Sequence, residues 1–177
     1  MRVTEVKDFF PQEILDKILS IANNNEFVDI NYSVASGIRK KLDLWDLDVK
    51  QDIEKFCDSV IKTAVDHPVI INNAFLWKDE PGFSMSNHVD NYKVHLAIQI
   101  YLNDNDNFGT IFKMDGSDKI IKYGLNRGYI NHNYLEPRIV HSVPKCNYKR
   151  LSLYIMYAKT DKDGNPIVLE NEQANMK

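Results

Sequence analysis

Val94-His95-Leu96-Ala97-Ile98-Gln99-Ile100-Tyr101-Leu102 alternates without a break. Val94, Leu96, Ile98, Ile100 and Leu102 fall on one side; His95, Ala97, Gln99 and Tyr101 fall on the other. Successive strand residues point to opposite faces, so this stretch predicts a strand with one core face and one more polar face. Arg150–Tyr157 repeats the split, with Leu151, Leu153, Ile155 and Tyr157 opposed to Arg150, Ser152, Tyr154 and Met156. Such strands fit a sheet with one wet face, or a barrel whose polar faces line a small-molecule cavity. The alternation alone does not choose between the two.

The same period of two marks Val69–Trp77, Gly109–Met114, Lys119–Tyr123 and Gly128–Asn131 as strands. Turn clusters separate them: Glu80-Pro81-Gly82, Asn103–Asn107, Asp115-Gly116-Ser117-Asp118 and Pro144–Asn147. Ahead of Val69 the period is helical. Ile14, Leu15, Ile18, Leu19 and Ala22 form a stripe behind Pro11, which suits a first helical turn, and Asn23-Asn24-Asn25 ends it. Val49, Ile53, Phe56, Val60, Ile61 and Ala64 form a second stripe, with Asp48 and Gln51 as a capping box and Pro68 as its stop. Residues 26–47 read as extended pieces and loops. Helices first and strands afterwards predict a mainly β protein, a sandwich or barrel with supporting α-helices on one side.

A length of 177 residues suits one domain with a real core. The expected division is a single domain over 1–158, with helical support in 1–68 and the β structure in 69–158, followed by a loosely held polar tail over 159–177. With 22 basic against 25 acidic residues, the net charge of −3 gives no reason to expect nucleic acid or an anionic membrane as partner. No apolar run reaches the length of a membrane span, and Met1-Arg2-Val3 leads into charged residues rather than a signal-peptide core. Cys57 and Cys146 form neither a zinc motif nor a disulfide framework and are expected as reduced thiols. The expected location is the cytoplasm, or a host's cytoplasm for a phage-encoded chain. Oligomeric state is not written in the sequence.

The chemistry concentrates at His88-Val89-Asp90, whose two polar residues share one strand side, at His141, and at Arg150 nine positions further on. Two imidazoles and a carboxylate make the facial triad that holds non-haem Fe(II) with open positions, and an arginine fork suits a dicarboxylate cosubstrate. His-x-Asp alone is a weak signal, because such pairs also serve as surface hydrogen bonds. His132 competes with His141 as the third ligand. Lys149 competes with Arg150, but on a strand it points the opposite way. His67, at a helix end, reads as solvated; His95 reads equally as a pocket residue and as a hydrogen-bonded barrel histidine. Asp104 and Asp106 could mark a calcium loop, but a polar hairpin turn is the better reading. A Ser-His-Asp hydrolase built on His141-Ser142 fails because adjacent strand residues point apart.

The segment Trp77-Lys78-Asp79-Glu80-Pro81-Gly82-Phe83-Ser84-Met85-Ser86-Asn87-His88-Val89-Asp90-Asn91 resembles the entry to the iron site of prolyl-hydroxylase-like 2-oxoglutarate/Fe(II)-dependent oxygenases. There a Pro-Gly turn precedes the His-x-Asp pair. Ile100-Tyr101-Leu102-Asn103, Val140-His141-Ser142-Val143-Pro144, Lys149-Arg150-Leu151-Ser152-Leu153-Tyr154 and Asp8-Phe9-Phe10-Pro11-Gln12-Glu13 extend the similarity over most of 6–157. The resemblance implies a double-stranded β-helix, or jelly roll, buttressed by the N-terminal helices. It assigns His88, Asp90 and His141 to the metal, and Arg150 to the distal carboxylate of 2-oxoglutarate with Tyr101 and Ser152 assisting. Gln99, His95 and Trp77 fall to the substrate pocket. The family often has a tyrosine before the Pro-Gly turn, where this chain reads Lys78-Asp79-Glu80, so one cosubstrate contact is either missing or supplied by Trp77. Gly109-Thr110 replaces the usual two glycines, so close backbone packing is less assured there.

The implied cofactors are Fe(II), 2-oxoglutarate and O2, with ascorbate a further candidate. The implied reaction hydroxylates a C–H bond of a small-molecule or peptide substrate and forms succinate and CO2. Two other classes compete: a catalytically silent double-stranded β-helix serving as a binding or virion-associated structural module, and a cupin-type metal enzyme that does not use 2-oxoglutarate. The complete ligand set speaks against the first, and Arg150-Leu151-Ser152 against the second.

Overall fold

The computed structural model describes residues 2–44, 47–104 and 108–167. Its elements run β1 (Val3–Val6), α1 (Gln12–Asn24), β2 (Val28–Ile30), β3 (Ala35–Ser36), β4 (Arg39–Asp43), α2 (Lys50–Ala64), β5 (Val69–Asp79), β6 (Ser84–His88), β7 (Leu96–Tyr101), β8 (Phe108–Met114), β9 (Ser117–Lys122), β10 (Arg127–Asn131), β11 (His141–Val143) and β12 (Arg150–Lys159). The strands form a seven-stranded sheet in the order β1-β10-β7-β12-β5-β4-β2 and a five-stranded sheet in the order β3-β6-β11-β8-β9. Neighbouring strands are antiparallel throughout. This is the double-stranded β-helix, with two helices supporting the larger sheet.

The helical stripes explain that support. Leu15, Ile18 and Ala22 of α1 and Ile53, Cys57 and Ile61 of α2 share one buried cluster with Leu96, Ile98 and Ile100 of β7 and Leu153, Ile155 and Tyr157 of β12. Each fully buried aliphatic side chain contributes about 1.5–3 kcal/mol relative to exposure. The opposite faces of β7 and β12 turn into the barrel. There Tyr101 packs with Phe112, Ile121 and Tyr129.

Three local expectations need correction. Helix α2 has no capping box: Val49 is its N-cap, no side chain caps it, and the chain enters through Lys50 N–H bonding the Leu47 carbonyl at 3.0 Å. Val49 is buried, so core packing fixes the entry. Val94 leaves the core face assigned to it and lines the internal cavity. The reason is a turn, closed by Val94 N–H to the Asn91 carbonyl at 2.9 Å, which interrupts the alternation before β7 begins. Close packing at Gly109-Thr110 is kept. A Cβ at Gly109 would run into the Ile121 carbonyl and the Tyr101 phenol, while the Thr110 hydroxyl meets that phenol at 2.9 Å. One glycine is required here, not two.

Beyond β12, Thr160 bridges to Pro166, and Asp161 accepts bonds from the N–H groups of Asp163 and Asn165. This stretch is therefore a tied turn. The rest of the expected tail, 168–177, lies outside the described residues. No described helix is long and apolar enough to cross a membrane.

Gly109→Ala is expected to destabilise the protein by about 1–3 kcal/mol through overpacking. A lower urea midpoint at unchanged m-value would show it.

Candidate metal centre

Strands β6 and β11 pair antiparallel with His88 directly opposite His141. The register, not sequence proximity, brings the two imidazoles together, their ring centroids 4.3 Å apart. Asp90 follows two residues after His88, with one carboxylate oxygen 3.7 Å from His141 Nε2. The candidate ligand atoms of His88, Asp90 and His141 lie within 4.8 Å of one another. Ligands about 2 Å from one ion lie within roughly 4 Å of each other, so a small side-chain rotation closes the set. His88 is only half-buried and has room for it.

Proton positions follow from the partners. His88 Nδ1 lies 2.8 Å from the Ser86 carbonyl, and His141 Nδ1 lies 3.4 Å from the Ile139 carbonyl. A carbonyl only accepts, so Nδ1 carries the proton in each ring and Nε2 keeps the lone pair a cation needs. Burial pushes the His141 pKa below the ordinary imidazole value, outweighing the attraction of Asp90. A neutral imidazole is the ligand form.

Asp90 is held by groups that sequence reading did not find. Its Oδ2 accepts from Asn131 Nδ2 and Asn133 Nδ2, each at 2.9 Å, and its Oδ1 accepts from the Tyr154 hydroxyl at 3.1 Å. Arg138 donates to the backbone carbonyls of Asp90 and Tyr92 and so pins the following turn. Asn131-His132-Asn133 showed only a strand end in sequence, and nothing local tied it to Asp90.

A cavity of about 330 Å3 opens beside the three candidate ligands. Trp77, Gln99, Tyr32, Met85 and Tyr154 are among its lining residues. Trp77 meets Tyr32 edge-on at 6.0 Å and is tilted against Phe75 at 5.3 Å. Arg150, Tyr101 and Ser152 lie behind this wall, each fully buried. Ser152 Oγ accepts from Gln99 Nε2 at 3.1 Å, and Gln99 Oε1 accepts from the Tyr129 hydroxyl at 2.6 Å. The Arg150 guanidinium faces the Tyr101 and Tyr123 rings at 5.9 and 5.2 Å. Among the described residues none of its three nitrogens has a hydrogen-bond partner, although Asp79 Oδ2 stands 3.8 Å from Nη1.

His95 is corrected out of the cavity wall. Its ring stacks on Tyr134 and lies 2.6 Å from His67 Nε2, because two aromatic partners capture it before β7 starts. His67 is accordingly not simply solvated. His132 faces Thr4 Oγ1 at 3.4 Å and stays outside the candidate ligand group. Lys149 is largely exposed, just before β12 begins, with its Nζ 3.7 Å from Glu80, whereas Arg150 is fully buried. Asp104 serves a turn by accepting the Leu125 N–H at 2.7 Å; Asp106 lies outside the described residues. Cys146 is buried, its thiol donating to the Phe83 carbonyl at 3.2 Å.

No protein-family model matches the chain, and no curated protein matches its sequence. Solved structures do match. A Pseudomonas putida prolyl-4-hydroxylase superposes with a TM-score of 0.72 at 12% identity, covering 90% of this chain and 94% of that one. A Trichoplax adhaerens prolyl hydroxylase, in complex with a hypoxia-inducible-factor peptide fragment, gives 0.69 at 14% identity over 88% and 83%. The non-haem α-ketoglutarate-dependent epimerase SnoN from nogalamycin biosynthesis gives 0.65 at 12% identity over 89% and 78%. The chain thus has the fold of the prolyl-hydroxylase-like 2-oxoglutarate/Fe(II) oxygenases.

Two outcomes follow. Asn133→Ala should weaken Mn(II) or Fe(II) binding about 10- to 100-fold while the fold persists, read by anaerobic calorimetry. Burial depresses the His95 pKa from 6.5 to about 4. Between those values the unfolded chain takes a proton that the folded chain refuses, so stability should fall as pH drops through that window. His95→Gln should flatten this acid slope in thermal melts.

Proposed function

We propose that the chain is a 2-oxoglutarate- and Fe(II)-dependent dioxygenase that hydroxylates a C–H bond of a small-molecule or peptide substrate, with succinate and CO2 as coproducts. One observation carries this reading: His88, Asp90 and His141 converge at a cavity behind which a fully buried guanidinium has no hydrogen-bond partner among the described residues. The donor set fits the metal. Two neutral imidazoles and one carboxylate suit non-haem Fe(II) and leave positions open toward the cavity.

Fe(II), when bound with 2-oxoglutarate and O2, supplies the oxidising chemistry. The protein's own part is placement. His88 and His141 offer Nε2; Asp90 offers a carboxylate already oriented by two asparagines and a tyrosine. Arg150 takes the distal carboxylate of 2-oxoglutarate as a planar fork meeting a planar anion. Burial raises the Tyr101 phenol to about 12, so it stays protonated and can donate to the same carboxylate. Gln99 links Ser152 to the cavity wall. Val89, Val94, Val143 and Met85 make much of the remaining wall apolar, which keeps water from the reacting C–H.

The cosubstrate requirement separates this reading from a silent module and from a cupin-type enzyme, since neither has a use for the buried guanidinium. Peptide substrates are supported by the Trichoplax adhaerens complex, and small molecules by the epimerase of the same fold. The direct test is substrate-stimulated succinate formation by the Fe(II)-loaded protein across peptide, nucleoside and metabolite panels. Silence on every panel, with no uncoupled 2-oxoglutarate turnover, would count against catalysis.

Arg150→Lys keeps the charge but loses the fork. It should lower 2-oxoglutarate affinity roughly 30-fold or more, as expected when a buried charged hydrogen bond worth about 2–5 kcal/mol is lost, with metal affinity unchanged. Lys149→Ala should change neither. Equal 2-oxoglutarate affinity in the wild type and Arg150→Lys would favour the cupin-type reading.

A further inference from the structure

Strands β4, β5 and β12 lie side by side, and one rung across them carries three charges. Arg39 is opposite Asp79 on one side, and Arg150 is opposite Asp79 on the other. All three are buried, Asp79 and Arg150 completely. Asp79 is not shared evenly. Its Oδ1 accepts from Arg39 Nε at 2.6 Å and its Oδ2 from Arg39 Nη2 at 2.8 Å, a bidentate pair that orients the carboxylate toward Arg39. Arg150 Nη1 is 3.8 Å from Oδ2 and donates no hydrogen bond to it or to any other described residue.

Guanidinium groups do not give up their proton in proteins, so the rung holds two positive charges and one negative. The excess of one positive charge sits in a low-dielectric interior, where it is costly unless an anion joins it. One carboxylate balances the rung. We propose that Arg39 is a positioning residue for the cosubstrate site: by holding Asp79 as a bidentate partner, it keeps that carboxylate off Arg150 and leaves the Arg150 fork available to 2-oxoglutarate. This rests on the cosubstrate reading of Arg150 given above and adds a residue to it.

Arg39 is well fixed for the task. Its guanidinium lies 4.3 Å from the Phe83 ring and 5.1 Å from the Trp77 ring, and its remaining Nη1 points to Met85 Sδ at 3.4 Å. It also lines the cavity beside the three candidate ligands. Without it, the carboxylate already nearest to Arg150 is a tethered competitor, present at high effective concentration.

The experiment is calorimetric titration of 2-oxoglutarate into Mn(II)-loaded protein without turnover, for the wild type, Arg39→Met, Asp79→Asn, Arg39→Met/Asp79→Asn and Arg150→Met. Arg39→Met should bind 2-oxoglutarate at least about tenfold more weakly with unchanged Mn(II) affinity, because Asp79 then closes onto Arg150. The double variant should recover to within a few-fold of wild type, a rescue that a merely structural role for Arg39 does not give. Wild-type affinity in Arg39→Met overturns the proposal, as does a double variant that folds but stays as weak as the single one. Where Arg39→Met fails to fold, Asp79→Asn decides: affinity at or above wild type supports the proposal, and a loss overturns it. Wild-type affinity in Arg150→Met would instead remove the cosubstrate reading itself.

Discussion

Strand β12 is paired along both edges, with β5 over its whole length and with β7 from Ser152 to Tyr157. Because its side chains alternate, this double pairing forces them into two environments with nothing in common. Leu153, Ile155 and Tyr157 enter the cluster built by the helices, while Arg150, Ser152 and Tyr154 enter the barrel. A slip of one residue would exchange the two sets, placing a guanidinium among aliphatic side chains. Core packing and site geometry are therefore one constraint. At about 3.3 Å per residue, Arg150 and Tyr154 stand roughly 13 Å apart along the strand, one at the candidate anion end and one at the candidate metal end.

Those two ends carry opposite electrostatic imbalances, kept apart by neutral groups. Asp90 is bound by two amides and a phenol, and among the described residues no arginine or lysine pairs with its carboxylate. Arg138 is close but spends its donors on the Asp90 and Tyr92 carbonyls. At the other end, Arg39 orients Asp79, the carboxylate that pairs nearest to Arg150 among the described residues, toward itself. Neutral orientation preserves affinity for a cation in one place; an internal ion pair preserves affinity for an anion in the other. A buried ion pair is weak evidence for stability, but here it has a second use in deciding which charge stays available.

The sequence made the alternating strands legible because a period of two is a local signal, and β12, β7 and β5 all show it. It also carried the ligand candidates, since His88 and Asp90 are two residues apart and the His141–Arg150 interval fits one family pattern. What it hid depends on contacts between distant segments. Arg39 sits in residues 26–47, which read only as extended pieces and loops, yet Arg39 is buried because Asp79, forty positions on, receives it. Asn131 reads only as the end of a strand, and nothing local ties it or Asn133 to Asp90 until the fold sets them against it. Of the two readings of His95 the pocket one failed, because its ring is taken up by Tyr134 and His67 just ahead of β7.

The origin of each part of the cavity bears on how selectivity is set. The candidate ligands come from β6, the turn after it and β11, and the buried guanidinium from β12; all are locked in the two sheets. Tyr32 and Val34, by contrast, come from the short-stranded segment between α1 and β4, where β2 and β3 have three and two residues. Short strands near a sheet edge carry few ladder bonds, so this wall is held less tightly than the strands behind it. A prolyl hydroxylase and an epimerase share the present fold, so the scaffold does not dictate the outcome at a substrate carbon. In this chain Tyr32, Val34, Trp77, Met85 and Met156 are among the uncharged residues that line the cavity. They are aromatic or apolar, so under the proposed function they would sort substrates by shape and ring contact rather than by charge.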